Sequence, residues 1–350
     1  MSINFGERLI SARKMAGMSL ESLSVKAGAI VSKQAISKYE KGMTKPNSTV
    51  IISLSKALGV DPDYFFRPFS VSISDIEFRK RSKLTKKDEN RIKYQTIDFL
   101  EKYLELEDIL GIDEPFKNPI SDNKIVDYSD IERVTLELRA KWGLGNGPIP
   151  HLIKLLEDKG FKIFEVDYEG EFDGLSGYID AMGIPVIAIL KKGDLVRKRF
   201  TIAHELGHLL LDFSNAKNLK TEKLCHVFAC ALLLPQDIMV SELGESRRNI
   251  TEWELKKLKG VFGISMQAIM ARARQLDIIS ENTYRSFNIH VSKAGWKKNE
   301  PGQYMGKERA NRFKQLVIYA SAEEIISFSK GAELLNKSTS EFEAEVQIVS

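Results

Sequence analysis

Apolar residues recur at every third or fourth position along most of this chain, and that spacing predicts helices. Residues 4–66 divide into five short helical segments separated by turn signals. A longer amphipathic helix is predicted after Thr85, with Asp88 placed for a box-like cap. The later helices are predicted at residues 129–142, 148–159, 199–212, 221–235, 251–263, 265–279 and 280–287.

Three segments between the helices have the pattern of strands. The segment FKIFEVDY alternates between apolar and polar residues, and LSGYID with IPVIAIL predicts a hairpin that turns at residues 181–183. Two helices precede this small sheet and another helix follows it, which is the layout of an α+β metalloprotease-like domain. The predicted fold class is therefore α+β, with an all-α N-terminal domain, then a zincin-like domain with a small sheet, then a C-terminal helical segment.

The order of these patterns predicts four parts of the chain. They are an N-terminal helical domain, a basic run with a connector helix, a domain that contains the sheet, and a C-terminal helical region. In sequence order they cover residues 1–66, 67–127, 128–244 and 245–350.

The composition indicates which part of the chain is most basic and in which cellular compartment the protein is expected. The net charge is +4, but residues 1–66 hold nine Lys/Arg against five Asp/Glu, and residues 79–93 hold eight against two. The first quarter of the chain is thus the part expected to contact nucleic acid, although a charge run such as 79–93 is more often a solvated surface than a set of phosphate contacts. With no run of 18 apolar residues and no apolar core in MSINFGERLISARK, we expect a cytoplasmic protein without membrane contact. Its two cysteines suit a reducing compartment.

The third N-terminal helix, SKQAISKYEKG, presents polar and basic side chains outward. Ser32 is its predicted cap, and Ala35, Ile36 and Tyr39 can face inward. Short polar and basic side chains on such a face can contact base edges and phosphates in a major groove. The outward residues predicted to contact DNA are Lys33, Gln34, Ser37 and Lys38, with Ser32 at the start of the helix.

Residues 5–66 resemble the Cro/repressor-like (XRE) helix-turn-helix family. The resemblance rests on ERLISARKMAGMSLESLSVKAG, QAISKYEKGMTKPN and LSKALGVDPDYFF. It implies binding of double-stranded DNA through residues 1–66, and a homodimer would match inverted half-sites one helical turn apart. The turn at residues 28–31 is about two residues longer than is usual in the family. A helical bundle for protein contact is the alternative.

A metal-binding pattern lies in RFTIAHELGHLLLD, residues 199–212. His204 and His208 stand one helical turn apart, so both imidazoles leave the same face and can bind one ion. Glu205 lies beside them, where it can take a proton from metal-bound water. A catalytic zinc usually has three protein ligands, and the third is sought among the carboxylates and imidazoles that follow. Glu222 comes fourteen residues after His208 and opens the helix TEKLCHVFACALLLP.

Together these two motifs resemble the ImmA/IrrE family of zinc metallopeptidases. DGLSGYID before them and LDIISENTY after them extend the resemblance over residues 130–290. It implies a Zn²⁺ cofactor held by His204, His208 and Glu222, with Glu205 as the general base of peptide hydrolysis. Cys225 and His226 stand where the family usually has Ala and Asn. His226 shares the helical face of Glu222 and can orient it or compete with it as a ligand; we favour Glu222.

The sequence is compatible with more than one role for two further residues and for the C-terminal helices. Asp212 either accepts a hydrogen bond from a ligand imidazole, contacts the metal itself, or is a solvated carboxylate at the end of the helix. Tyr178 is either an oxyanion donor or a packed aromatic residue. The helices after residue 245 are again similar to helix-turn-helix motifs, and they can serve DNA, a partner or the catalytic domain.

The two resemblances together predict a DNA-binding transcriptional regulator with an attached zinc-dependent endopeptidase. The expected substrate is a repressor or antitoxin-type protein, and cleavage is expected to depend on an inducer. The alternative is a non-proteolytic transcription factor or antitoxin whose peptidase-like domain senses a ligand or partner. Intact His204, Glu205, His208 and Glu222 argue for the enzyme.

Overall fold

The chain folds into two units, each with its own apolar core. The computed structural model describes residues 5–69, 71, 84–113, 115–170, 172, 174–179, 183–216 and 219–346. The first unit joins Met1–Ile76, Ser82–Asp113 and Phe313–Ser350, and the second consists mainly of Glu114–Arg312. The predicted C-terminal region 245–350 therefore contributes to both units.

Five short helices form the N-terminal part of the first unit, as the periodicity predicts. Ser19, Ser32 and Asn47 cap three of them, because each side-chain oxygen accepts a backbone N–H in the first turn. The predicted cap at Ser32 is thus confirmed. The elements are α1 (Phe5–Met15), α2 (Leu20–Lys26), α3 (Lys33–Glu40), α4 (Ser48–Leu58) and a 3₁₀ helix (Pro62–Phe66).

Two buried arginines fix helix α1 within this unit. Arg13 makes a two-pronged ion pair with Glu40 of α3, at 2.6 and 2.9 Å. Arg8 makes another with Glu101, at 2.6 and 3.1 Å. Gly6 lets α1 approach the end of α3, because a Cβ there would lie 2.5 Å from the carbonyl oxygen of Glu40. The orientation of α3 is therefore set by charged contacts as well as by the apolar core.

The predicted connector helix is α5 (Lys86–Ile109), and its cap is confirmed, since Thr85 accepts the backbone N–H of Asp88. It is covered by C-terminal helices rather than lying free between domains. Tyr103 stacks on Phe313 at 5.2 Å, and Leu106 belongs to the apolar cluster of the C-terminal segment. The covering helices are α14 (Arg312–Ala322), α15 (Phe328–Leu334) and α16 (Thr339–Glu345). Residues 72–83, with most of the predicted basic run, lie outside the described residues.

A three-stranded sheet and eight helices are described in the second unit. Strand β3 is central, pairing parallel to β1 and antiparallel to β2, so the predicted hairpin is confirmed while most of its turn lies outside the described residues. The fold class is α+β, as predicted. The strands are β1 (Lys162–Val166), β2 (Leu175–Ile179) and β3 (Ile184–Leu190). The helices are α6 (Tyr128–Lys141), α7 (Leu152–Asp158), α8 (Leu195–Leu210), α9 (Thr221–Leu233), α10 (Gln236–Leu243), α11 (Glu252–Phe262), α12 (Met266–Gln275) and α13 (Glu281–Lys293).

Helix α7 begins at Leu152, four residues later than the prediction from Pro148. Pro150 disfavours helical backbone at the residue before it, which delays the start. The carboxylate of Glu308 then accepts the backbone N–H groups of Leu152 and Ile153, at 3.0 and 2.9 Å. A distant side chain thus caps this helix.

No single helix among the described residues is long and apolar enough to span a membrane. Helices α9 and α10 together have the length and the apolar composition of a membrane span, but the pair is bent by 64°.

Candidate metal centre and nucleic-acid interface

Helix α8 brings His204, Glu205 and His208 together in the interior of the second unit. All three side chains are buried, with relative exposures of 8%, 6% and 3%. Arg199 lies just before them and forms a fully buried ion pair with Glu308. Because Glu308 also caps α7, this pair anchors the start of the metal-binding turn to a second helix.

Glu222 at the start of α9 completes a set of three potential ligands. Nε2 of His204 lies 3.1 Å from Nε2 of His208 and 3.3 Å from a carboxylate oxygen of Glu222. Nε2 of His208 lies 3.9 Å from the other oxygen of that carboxylate. The buried histidines form one side of the site, and the Glu222 side chain, 45% exposed, forms the solvent side.

Two of these three distances are close to those of a zinc site. Ligand atoms of tetrahedral zinc lie about 2.0–2.2 Å from the ion, and hence about 3.3–3.6 Å from one another. The separation of 3.9 Å between His208 and Glu222 is longer than this range. Two imidazole nitrogens and one carboxylate oxygen are a donor set that catalytic zinc uses. The chemistry of the three side chains therefore fits zinc, and a small movement of the Glu222 side chain would bring the third distance into range.

The carboxylate of Glu205 is held by a residue that the sequence does not single out. The hydroxyl of Ser176, on β2, donates to Oε2 of Glu205 at 2.5 Å. Gly174, with a φ of +96°, lets the backbone pass this side chain, because a Cβ there would lie 3.4 Å from Oε1 of Glu205 and 2.8 Å from Cγ2 of Thr201. In the sequence, the only indication that Ser176 and Gly174 contact Glu205 is that DGLSGYID lies shortly before RFTIAHELGHLLLD.

Both residues that depart from the family pattern lie at the site. The ring of His226 packs edge-on against that of His204, with centroids 4.7 Å apart, and its ligand atom lies within 4.8 Å of those of His204 and Glu222. The thiol of Cys225 lies 3.1 Å from Nδ1 of His208. Gly207 makes room for this helix contact, since a Cβ there would lie 3.4 Å from Sγ of Cys225.

Asp212 and Tyr178 make local contacts instead. Oδ1 of Asp212 accepts the backbone N–H of Ser214, and this bond holds the pKa of Asp212 below its usual range. The hydroxyl of Tyr178 donates to the carbonyl of Leu209 at 2.6 Å and joins β2 to α8. These contacts favour structural roles for both.

Two cavities flank helix α8 near the ligand set. One of about 520 Å³ lies between α9 and α12 and includes His226 in its wall. The other, of about 800 Å³, lies beside the end of β3 and the start of α8. Phe200 and Gln267 line both, so the cavities lie on either side of these two side chains.

The predicted nucleic-acid residues lie on one exposed helix in the first unit. Lys33, Gln34 and Lys38 are exposed, Ser37 is half-buried, and Ile36 faces the core. Ser32 is exposed and its hydroxyl caps α3. The turn before α3 contains two left-handed residues, Gly28 and Ala29.

Comparison with known protein families identifies both parts. Residues 9–65 match the family model described as a helix-turn-helix, and residues 156–274 match the one described as an IrrE N-terminal-like domain. The chain fuses an XRE-type helix-turn-helix domain to an ImmA/IrrE-type domain. No curated protein and no solved structure matches it.

The matched ranges bracket the features described above. The helix-turn-helix match contains α3 with its exposed face, which supports DNA binding by the first unit. The ImmA/IrrE match runs from the end of α7 to the end of α12, so it contains the sheet, the ligand set and both motifs. The second unit is therefore a metallopeptidase-like domain.

Proposed function

We propose that this protein is a DNA-binding regulator that carries its own zinc-dependent endopeptidase and cleaves a repressor or antitoxin-type protein when an inducer is present. The observation that carries the proposal is the convergence of three ligand atoms beside a buried carboxylate, in a chain that also has a helix-turn-helix domain. A constitutively active peptidase would destroy the regulator's partner continuously, so its activity is expected to be conditional.

His204, His208 and Glu222 are the residues that would hold zinc. When bound, zinc supplies Lewis-acid activation of water and of the scissile carbonyl. The two imidazoles must be neutral at Nε2 to act as ligands, so their protons belong on Nδ1. The partial exposure of Glu222 leaves the solvent side accessible to a peptide.

Glu205 is the proposed proton carrier. Its carboxylate takes a proton from the attacking water and delivers it to the leaving amine. The bond from Ser176 holds one oxygen, Oε2, and so restricts the carboxylate to a single orientation. This contact supports a positioning role for Ser176, which acts through Glu205.

Strand β2 is the element best placed to hold an extended peptide. It lies at the edge of the sheet, and Ser176 and Tyr178 join it to α8 on the side of the ligand set. A peptide that adds to this edge makes main-chain hydrogen bonds regardless of its sequence. Main-chain pairing there would carry the scissile bond past Glu205.

The exposed face of α3 supports major-groove binding through Ser32, Lys33, Gln34, Ser37 and Lys38. Two such domains in a homodimer would bind inverted half-sites. Binding of this kind releases counterions, so the affinity falls steeply as salt rises.

A second candidate function is a regulator that senses a ligand or partner without cleaving. The position of His226 favours it, since a fourth protein ligand would close the site and leave a structural metal. If His226 is a fourth ligand, the His226→Ala substitution is expected to change the absorption spectrum of the cobalt-substituted protein. An unchanged spectrum supports the three-ligand peptidase site.

The decisive experiment combines metal analysis with cleavage of candidate repressors. The proposal expects about one zinc per chain, lost in His208→Ala. It also expects inducer-dependent cleavage by the wild type and none by Glu205→Gln. Stoichiometric zinc in His208→Ala would contradict the ligand assignment, and full cleavage without any inducer would contradict the conditional mechanism.

A further inference from the structure

The cavity between α9 and α12 has apolar walls and a polar rim. Its volume of about 520 Å³ lies within the range of about 300–1,000 Å³ that is typical of ligand pockets. Its polar lining comes from several side chains, namely Tyr128, Lys223, His226, Gln267, Arg272, Arg274 and Gln275. The apolar part is lined by Phe200, Val227, Cys230, Ala268 and Ala271.

This cavity and the ligand set share one residue, His226. His226 lines the cavity and also has a ligand atom within 4.8 Å of those of His204 and Glu222. Phe200 lines the cavity from α8, one helical turn before His204, and packs on His226 with ring centroids 5.4 Å apart. The cavity therefore lies on the side of His226 away from the His204 ring, one side chain from the proposed ligands.

Helices α11 and α12 meet at the left-handed Gly263 in the manner of a helix-turn-helix motif, but their contacts do not suit DNA. The partly exposed face of α12 supplies Gln267, Ala268 and Ala271 to the cavity wall. Arg272 is buried and bonded to Glu132 at 2.6 and 2.9 Å, and Arg274 is paired with Glu281. The face that would enter a groove of DNA is the wall of the cavity.

We propose that this cavity is a specificity pocket that receives a large apolar side chain, of the leucine or phenylalanine class, from the substrate residue next to the scissile bond. The inference rests on the proposed peptidase function and adds the substrate class to it. A substrate side chain that enters the pocket moves out of water and contacts the apolar wall. The peptide backbone continues past His226. A substrate with glycine at that position lacks this contact and is cleaved about 10- to 100-fold less efficiently.

The first test measures binding without catalysis or metal. The full-length protein, labelled at alanine and valine methyl groups, is titrated with N-acetylphenylalanine amide, N-acetylleucine amide and N-acetylglycine amide. We expect the methyl signals of Val227, Ala268 and Ala271 to shift with the first two probes and not with the third. Equal shifts with all three, or shifts confined to methyl groups elsewhere, would overturn the pocket.

A filled-pocket variant provides the matched comparison. Ala271→Phe places a ring inside the cavity, whereas Ala294→Phe makes the same change at an exposed position after α13. The probe-induced shifts should be lost in the first variant and kept in the second. Unchanged probe binding by a folded Ala271→Phe contradicts the proposal, and the wild-type titration decides the matter if that variant does not fold.

Cleavage of a peptide mixture separates this inference from the proposed function. In the presence of the candidate inducers, zinc-loaded wild type should produce new termini flanked by a large apolar residue, and Ala271→Phe should lose that preference. Glu205-dependent cleavage without side-chain preference would refute the pocket and leave the peptidase intact. Selective probe binding without any cleavage would support the pocket and refute the peptidase.

Discussion

The thiol of Cys225 lies 3.1 Å from Nδ1 of His208, while Nε2 on the other side of the ring faces His204 and Glu222. A ligand histidine is oriented by what its second nitrogen contacts, and loss of such a contact typically lowers metal affinity about 10- to 100-fold. If His208 is a zinc ligand through Nε2, its proton lies on Nδ1 and is directed at the sulfur of Cys225, so we expect Cys225 to orient the ring for zinc.

Replacing Cys225 should weaken zinc binding. Cys225→Ala is expected to lower zinc affinity by about 10- to 100-fold in a chelator competition, and Cys225→Ser should restore part of it. Cys230→Ala is the matched control, because the Cys230 thiol lies near the carbonyl of Ala268, at 4.0 Å. Equal zinc affinity in the two alanine variants would remove Cys225 from the site.

Replacing Ser176 should slow turnover and leave metal binding unchanged. Ser176→Ala removes a 2.5 Å hydrogen bond to the carboxylate of Glu205, so kcat should fall about tenfold while KM and zinc content stay constant. Steady-state kinetics on a peptide that the wild type cleaves provides the measurement. A rise in KM at constant kcat would instead assign Ser176 to substrate binding.

The ionisation of Glu157 should make the second unit less stable as pH rises. Burial raises the pKa of Glu157 from 4.5 to about 7, although the backbone N–H groups of Asn311 and Arg312 lower it. Since the folded state holds the proton more tightly than the unfolded state, the stabilisation is complete below about pH 4.5 and is lost as pH rises through about 7. The free energy of unfolding should fall by about 1–3 kcal/mol between pH 5 and pH 8.

Glu157→Gln should remove that part of the pH dependence. Trp142, Trp253 and Trp296 are the only three tryptophans, and all lie in the second unit, so their fluorescence reports its unfolding in urea. Parallel pH profiles for the wild type and Glu157→Gln would show that this carboxyl group has no raised pKa.

The exposed face of α3 should account for DNA affinity. The Lys33→Ala, Gln34→Ala double variant is expected to bind a promoter fragment at least tenfold more weakly, and loss of one phosphate contact should reduce the salt slope by about one. Lys337→Ala, in the turn before α16, makes the same charge change elsewhere in the unit and should leave affinity unchanged. Identical binding by a folded double variant would refute the assigned interface.

Local patterns predicted most of the helices and the core of the site. His204 and His208 share a face because the helical period places them there, and Thr85 and Ser32 act as caps because their roles depend on neighbours within three residues. These features depend on short stretches of chain, which a sequence displays directly.

Contacts between distant residues could not be predicted in this way. Arg199 meets Glu308 and Ser176 meets Glu205 only after the sheet and helices have assembled. The covering of α5 by α14–α16 likewise depends on tertiary packing, as at Leu106 and Phe342. For the same reason the sequence predicts the connector helix itself but does not show which helices cover it.

Glu205-dependent peptide cleavage is the most direct measurement of the central claim. Zinc-loaded wild type and zinc-loaded Glu205→Gln are incubated, with and without candidate inducers, with a peptide mixture derived from cell extract, and new termini are counted by mass spectrometry. The account predicts about one zinc in each protein, new termini with the wild type when an inducer is present, and none above background with Glu205→Gln. The account would be contradicted if both proteins hold about one zinc and the wild type produces no more new termini than Glu205→Gln, both in the presence and in the absence of candidate inducers.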